Sequence, residues 1–436
     1  MKVFPISLGC AKNKVDSEVL LGNLVNNRDI ELTSNFSDAD LIMINTCACI
    51  ESAKQEAIDT IFDVINNKKA NQKTLVCGCL STRYEGEIAD LIPEVDRFVS
   101  IKEYPKLKDI INSMFIDHPF TEKIDPLKRI ISTAKESVYV KISEGCNHRC
   151  HYCAIPLIRG GFVARAKEEI IEEVKRLVAF GAKEINLISQ DTTMYGFGLY
   201  NDYGIVELLA DLCAISGDFK IRLLYLYPNL ITDKLIDFIA SNEKVMPYFD
   251  IPLQHSEDKM LKAMNRKGDK NFIINLLNKI RNRIPESIIR TTMIVGYPGE
   301  TSEDFSNLIT FIKENPFDRL GAFAYSPEEG TVGYDLPQID EATKKARLEA
   351  IYMAQDEIAL RMNSKHLGKT TNVLIYDYDV DNYCYLGRNY AFAPDDIDGY
   401  IMCYAKEELK IGGIYKVKIL DASPSTLSGE VLIDEA

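Results

Sequence analysis

The chain has 436 residues, room for roughly two to four domains of ordinary size. Hydrophobic residues make up 46% and charged residues 27%, which excludes a disordered or fibrous chain. Lys and Arg number 51 against 65 Asp and Glu, a formal charge of −14; this argues against broad nonspecific nucleic-acid binding and suits a basic partner.

No stretch approaches the ~18 uncharged apolar residues of a membrane span. The opening Met1 to Cys10 carries one Lys, and Pro5 breaks its short apolar run, so no secretory signal is expected and the chain is expected to be cytoplasmic.

Residues 1–115 alternate short apolar strands with helices. Strands are predicted at Lys2–Leu8, Leu41–Asn45 and Thr74–Cys77, with helices at Val15–Val25, Glu51–Ile65 and near Tyr84–Leu91. That rhythm predicts an α/β domain with a doubly wound parallel sheet. Residues 116–136 lose it, carry Pro119 and Pro126, and read as a linker. Residues 137–366 resume the alternation with a longer period. Predicted strands are Val138–Ile142, Glu184–Ile188, Arg222–Leu226, Tyr248–Ile251, Arg290–Val295 and Gly321–Tyr325. Six strand–helix units predict a partial TIM-like (β/α)6 barrel, with an open sheet as the alternative; barrel sites gather at the carboxyl ends of strands. Residues 341–366 read as a long helix. Residues 367–436 switch to period two, with five short strands between turn residues, and predict a small antiparallel, OB-like β-barrel.

The chemistry lies in the cysteines. Eleven are too few for a disulfide scaffold in so long a chain, so grouped ones read as metal or redox sites. Cys146, Cys150 and Cys153 form CxxxCxxC in a loop directly after a predicted strand. Three thiolates there can hold three irons of a 4Fe-4S cluster and leave the fourth open. The competing reading is a zinc loop, with His148 or His151 as fourth ligand. Cys10, Cys47 and Cys79 each follow an apolar strand of the first domain. In a parallel sheet those strand ends share one edge, so the three thiols can converge on a second cluster; alternatively they are unrelated buried thiols. Cys49 and Cys77 read as structural neighbours of these candidates, and Cys213, Cys384 and Cys403 as core.

CxxxCxxC after the first barrel strand resembles the radical S-adenosylmethionine (SAM) superfamily. Further motifs are Ser7-Leu-Gly-Cys-Ala-Lys-Asn-Lys-Val-Asp-Ser17, Asn45-Thr-Cys47, Gly78-Cys-Leu80, Ser143-Glu-Gly-Cys146, Ile155-Pro-Leu-Ile-Arg-Gly160 and Pro252-Leu-Gln-His255. With them, essentially the whole chain resembles the methylthiotransferases, which join a three-Cys domain, a radical SAM barrel and a C-terminal TRAM domain. The Leu-Gly-Cys-Ala-Lys-Asn opening, and Gln190-Asp-Thr-Thr193 before Tyr195-Gly196, resemble the branch that methylthiolates an aspartate of ribosomal small-subunit protein twelve. The tRNA-modifying branches usually open differently around the first Cys. Two positions depart from the pattern: Cys49, where a small or aromatic residue is usual, and Lys267, where Pro or Arg is commoner.

The resemblance implies two 4Fe-4S clusters, one on Cys10, Cys47 and Cys79 and one on Cys146, Cys150 and Cys153. It implies two SAM molecules, one as methyl donor and one as radical source, together with outside sulfur and electron donors. Hydrogen abstraction from the aspartate β-carbon would precede capture of the methylthio group. It also implies that Tyr152 sits beside adenine. Gln190, Asp191 and Thr192 end the second barrel strand, Gln254 and His255 end the fourth, and Gly296 opens the turn after the fifth. These six are further candidates for SAM contact, each weighed against a bracing role.

The last domain carries six basic and twelve acidic residues over 367–436. It should repel tRNA, whose phosphates call for Lys and Arg, and steer a basic protein. Asp395, Asp396 and Asp398 are expected in a loop as the partner contact. The alternatives are the same chemistry on a tRNA adenosine and a zinc-stabilised nucleic-acid-binding module.

Overall fold

The computed structural model describes residues 1–25, 30–115 and 125–432. Residues 116–124 of the expected linker, and residues 433–436 of the expected last domain, lie outside them.

The first domain runs β1 (Lys2–Ser7), α1 (Ala11–Val25), β2 (Glu31–Leu32), β3 (Leu41–Thr46), α2 (Glu51–Asn67), β4 (Lys73–Gly78), α3 (Cys79–Arg83), α4 (Ile88–Leu91), β5 (Arg97–Val99) and α5 (Leu107–Met114). Its strands form one parallel sheet in the order β2-β1-β3-β4-β5. Every residue of β3 is buried, which is why that strand reads as an unbroken apolar run. The single helix expected near Tyr84–Leu91 is two short ones, and the first starts at Cys79, straight off the end of β4.

The central domain runs β6 (Ser137–Lys141), β7 (Ser143–Glu144), α6 (Ile155–Arg159), β8 (Val163–Ala164), α7 (Lys167–Phe180), β9 (Glu184–Ile188), α8 (Ile205–Cys213), β10 (Lys220–Leu223), α9 (Asp233–Ser241), β11 (Tyr248–Asp250), α10 (Asp258–Ala263), α11 (Lys270–Arg283), β12 (Ile288–Val295), α12 (Ser302–Glu314), β13 (Arg319–Ala324) and α13 (Glu341–Ser364). Six parallel strands follow one another around an arc in chain order. They form two three-stranded sheets joined by an Ile221–Val245 bridge and by the Leu226 N–H donating to the Asp250 carbonyl at 2.8 Å. Among the described residues β6 and β13 do not pair, so the arc is a partial barrel. Its core lies between strands and helices, with Val140, Leu187, Leu223, Phe249 and Met293 fully or almost fully buried. The β7–β8 clamp has two residues per strand, too few to leave a periodic signal.

The last domain is a closed five-stranded barrel of β14 (Thr370–Asp379), β15 (Cys384–Arg388), β16 (Tyr400–Tyr404), β17 (Ile414–Ala422) and β18 (Thr426–Leu432). Its pairs are antiparallel except β16 with β18, which is parallel.

All six central strands grip residues 388–398 of this domain. Tyr139 donates to Asp395 at 2.8 Å. Glu184 accepts from Arg388 at 3.0 Å, and Arg222 donates to the carbonyls of Tyr390 and Asn389. Tyr248 bonds Asp398, Arg290 bonds it at 3.0 Å, and Arg319 lies over the Phe392 ring. This corrects the expectation for Asp395, Asp396 and Asp398. Asp398 is buried, Asp395 also pairs with Lys14 at 3.1 Å, and Asp396 accepts from Tyr376 at 2.6 Å. Asp395 and Asp398 fasten this domain to the others, while Asp396 bonds within its own domain and stays exposed.

Candidate active site

The ends of β1, β3 and β4 lie side by side, and the first cysteine after each is Cys10, Cys47 and Cys79. Two glycines make the approach possible. Gly9 (φ 86°) passes so close that a Cβ on it would stand 2.6 Å from the Cys47 Cβ. Gly78 (φ 97°) would bring a Cβ to 2.2 Å from the Asn45 side-chain oxygen. The left-handed turn before Cys10 and Cys79 is thus required by backbone and space alike. Asn13 braces the edge by donating to the Thr46 carbonyl at 2.7 Å and accepting from the Cys79 thiol at 3.5 Å.

Cys49 stands beside this group, close enough to Cys47 and Cys79 for the three thiols to perturb one another. The hydrogen bond from Cys49 draws the Cys47 thiol down to about 3, while its own thiol is pushed well up by the same contact. Cys77 is fully buried on the other side of its strand, among Leu20, Leu41 and Val99, and burial pushes it up to about 12. It is core, as expected.

The second cysteine group sits in the loop between β7 and α6. The Cys146 N–H donates to the Gly160 carbonyl at 3.2 Å, and that of His151 to Met264 at 3.0 Å, fixing both ends of the loop. Burial raises the Cys146 and Cys153 thiols, Cys153 to about 12, so a bound metal has to take their protons for them to ligate. Among the described residues no three His, Cys, Asp or Glu are placed to hold a single metal ion. Ligands of a cluster stand wider apart, because each binds a different iron.

A cavity of about 220 Å³ opens over this loop, lined by Cys146, Cys150, Cys153, Tyr152, Gln190 and Gln254 among others. The side-chain oxygens of Gln190 and Gln254 are buried without a partner, so they await donors such as the ammonium or hydroxyl groups of a ligand. A second cavity of about 870 Å³ shares Tyr152, Cys153, Ile155 and Gln254 with the first and reaches Cys49. The larger cavity therefore lies between the cysteine loop and Cys49, beside the other cysteine group.

Four candidates stand off these cavities. Asp191 reaches them only through His148, which it binds at 2.6 Å. Thr192 is fully buried and donates to the Leu224 carbonyl at 2.5 Å. His255 is buried 3.5 Å from Glu300, and its Nδ1 accepts the Glu257 N–H at 3.0 Å. Gly296 donates to Glu300 and faces Lys344. The latter three brace strand ends.

Sequence reading weighed His148 only as a zinc ligand and assigned no role here to Tyr227, Arg266 or Lys12. His148 lies flat on Tyr227, with centroids 3.6 Å apart, and Arg266 stacks on Tyr227 from 4.3 Å while its Nη1 stands 4.0 Å from Cys150 Sγ. Lys12 reaches across from α1.

Family models match three segments: the Radical SAM superfamily over 140–312, uncharacterized protein family UPF0004 over 2–100, and a TRAM domain over 367–432. The ribosomal protein uS12 methylthiotransferase RimO of Acetivibrio thermocellus is 44% identical over 99% of this chain and 98% of its own. The proteins of the same name from Clostridioides difficile and Aquifex aeolicus are 43% and 44% identical, over 100% and 98% of this chain and 100% and 97% of theirs. The chain belongs to the RimO family of methylthiotransferases. It is a radical SAM enzyme that transfers alkylthio groups, with iron–sulfur clusters and SAM as cofactors. The fold is shared with the radical SAM methyltransferase TsrM of Kitasatospora setae, at TM-score 0.56 and 13% identity over 76% of this chain and 77% of that one. The donor set around the two cavities fits those cofactors: three thiols on one loop, unpartnered acceptors beside them, and a second three-thiol edge opposite. No helix among the described residues is long and apolar enough to cross a membrane.

Proposed function

We propose that the enzyme methylthiolates the β-carbon of an aspartate of ribosomal protein uS12, using two 4Fe-4S clusters and two SAM molecules. The observation that carries this reading is the larger cavity, lined at one side by Cys153 and at the other by Cys49, which stands beside Cys47 and Cys79. When bound, the clusters and SAM supply the electron, the adenosyl radical and the methylthio group. Held by the residues named below, they would replace the substrate's β C–H bond by a C–S bond.

The chain's own residues position and exclude. Cys146, Cys150 and Cys153 hold one cluster, and Cys10, Cys47 and Cys79 the other. Tyr152, Gln190 and Gln254 bind SAM in the smaller cavity, while Asp191 fixes the ring of His148 against Tyr227. Walls of Phe323, Tyr325 and Tyr352 keep the larger cavity apolar, which protects a carbon radical from side reactions. No side chain has to act as a general base.

Mass spectrometry of ribosomal proteins and tRNA from a strain lacking the gene tests the assignment. Loss of methylthioaspartate from uS12 is expected. Intact uS12 with a methylthio group missing from a tRNA adenosine would assign the enzyme to the other substrate.

A further inference from the structure

Lys12 is the second residue of α1, two after Cys10, yet its side chain leaves its own domain. The ammonium donates to the Ser189 carbonyl at 3.2 Å, just past β9, and sits 3.4 Å from the centre of the Tyr225 ring, just past β10. It is 8% exposed and lines the smaller cavity with Cys146, Cys150, Cys153 and Gln190. Among the described residues no carboxylate stands within ion-pair distance of it. The acids nearby are committed elsewhere: Asp16 and Glu144 each to Lys141 and Arg159, and Asp191 to His148. Beside the carbonyl and the aromatic face its only acidic neighbours are Tyr225 and the thiols of Cys10 and Cys49, so this buried ammonium has no carboxylate partner.

We infer that Lys12 binds the side-chain carboxylate of the substrate aspartate and so selects an acidic residue for modification. The inference rests on the protein-substrate reading above. In radical SAM enzymes the carboxylate of SAM itself is taken up by the open iron of the cysteine loop. The anion left over is the one bonded to the reacting carbon, which has to lie between the two cysteine groups. Lys12 bridges that gap, since it starts beside Cys10 and ends over the barrel mouth. Its remaining ammonium hydrogens fix the carboxylate and, through a single C–C bond, the β-carbon.

The test measures anaerobic holoenzyme binding to uS12 and to uS12 whose target aspartate is replaced by Asn. The wild type is expected to prefer the aspartate form by at least about tenfold, the usual weight of a charge-assisted contact. Lys12→Met should bind the two forms within about twofold, and Lys12→Arg should keep the preference. The Kd for SAM should stay the same in both variants. Equal binding of the two forms by the wild type overturns the inference without any variant. So does a Lys12→Met enzyme that still discriminates, or one that loses SAM affinity, which would give Lys12 to the SAM carboxylate. These three outcomes leave the functional reading standing if the wild type methylthiolates uS12. A wild type that modifies tRNA and ignores uS12 overturns both.

Discussion

Arg159 Nη2 stands 3.5 Å from Cys79 Sγ, so a side chain at the end of the radical-loop helix touches a cysteine of the N-terminal domain. The same guanidinium holds Asp16 at 3.0 Å and Glu144 at 2.9 Å, and donates to Asn13. The contact ties the cysteine edge of the first domain to the radical-loop helix, and in the proposed reaction it would set the separation of the two cluster sites. Arg159→Met removes one member of a buried ion network and should cost about 3–5 kcal/mol of stability. SAM cleavage should continue in whatever enzyme folds, while methylthio transfer per 5′-deoxyadenosine falls at least about tenfold, the expected penalty for misplaced reacting centres. A product ratio equal to that of the wild type would reduce Arg159 to a fastener.

Replacing any of Cys146, Cys150 or Cys153 by Ala should abolish 5′-deoxyadenosine formation, because the open iron goes with its cluster. Undiminished formation under reducing conditions would remove that cysteine from the ligand set.

The triple replacement of Cys10, Cys47 and Cys79 should lower iron by about half if the clusters are alike. SAM cleavage should persist and methylthio transfer should stop. Cys77→Ala should keep all the iron, at a cost of about 1 kcal/mol for a lost core sulfur. Cys49→Ala tests a closer neighbour. Three ligands are assigned without it, so iron should be retained; a drop to half would make Cys49 a ligand too.

Much of this was legible because the signal was local. Strand ends followed from apolar runs, and Glu184–Ile188 matches its strand residue for residue. That Cys10, Cys47 and Cys79 follow neighbouring strand ends came from parallel order alone. What was missed depends on contacts across domains. Nothing in the spacing of α1 says that Lys12 leaves its domain, or that Asp191 meets His148. The acidic run at Asp395 misled for the same reason. Charged residues in a turn are usually solvated, and only the arginines and tyrosines arriving from distant strands show otherwise.

Asp398 tests that correction. It is the shared partner of Arg290 and Tyr248, so Asp398→Ala leaves Arg290 with Asp250 alone and strips the buried Tyr248 hydroxyl of its acceptor inside the domain junction. Removing one member of such a buried pair costs about 3–5 kcal/mol, and thermal unfolding should come several degrees earlier. Affinity for uS12 should not change at a temperature where both proteins are folded. Weaker binding with unaltered melting would restore the run as a partner contact.

Asp395 and Asp396 are exposed but already bonded to Tyr139, Lys14 and Tyr376, so acidic steering falls first to the other exposed carboxylates of the last domain: Asp377, Asp381, Glu407, Glu408, Asp421 and Glu430. They lie on a domain that carries twelve acidic residues against six basic ones over 367–436. Exposed charges act through a screened field, so they change encounter rates more than contact energies. Converting Asp377, Asp381, Glu407 and Glu408 to their amides in the full-length enzyme should slow association with basic uS12 at low salt. The difference from wild type should shrink as salt approaches ~0.15 M, where the screening length is about 8 Å. Dissociation should change little, because none of the four is needed at the reacting centre. The reverse charge logic applies to tRNA, whose binding the same four substitutions should strengthen. Stopped-flow association with both molecules at matched ionic strength separates the cases. If the amide variant gains nothing toward tRNA and loses nothing toward uS12, the acidity of this domain plays no part in choosing the substrate.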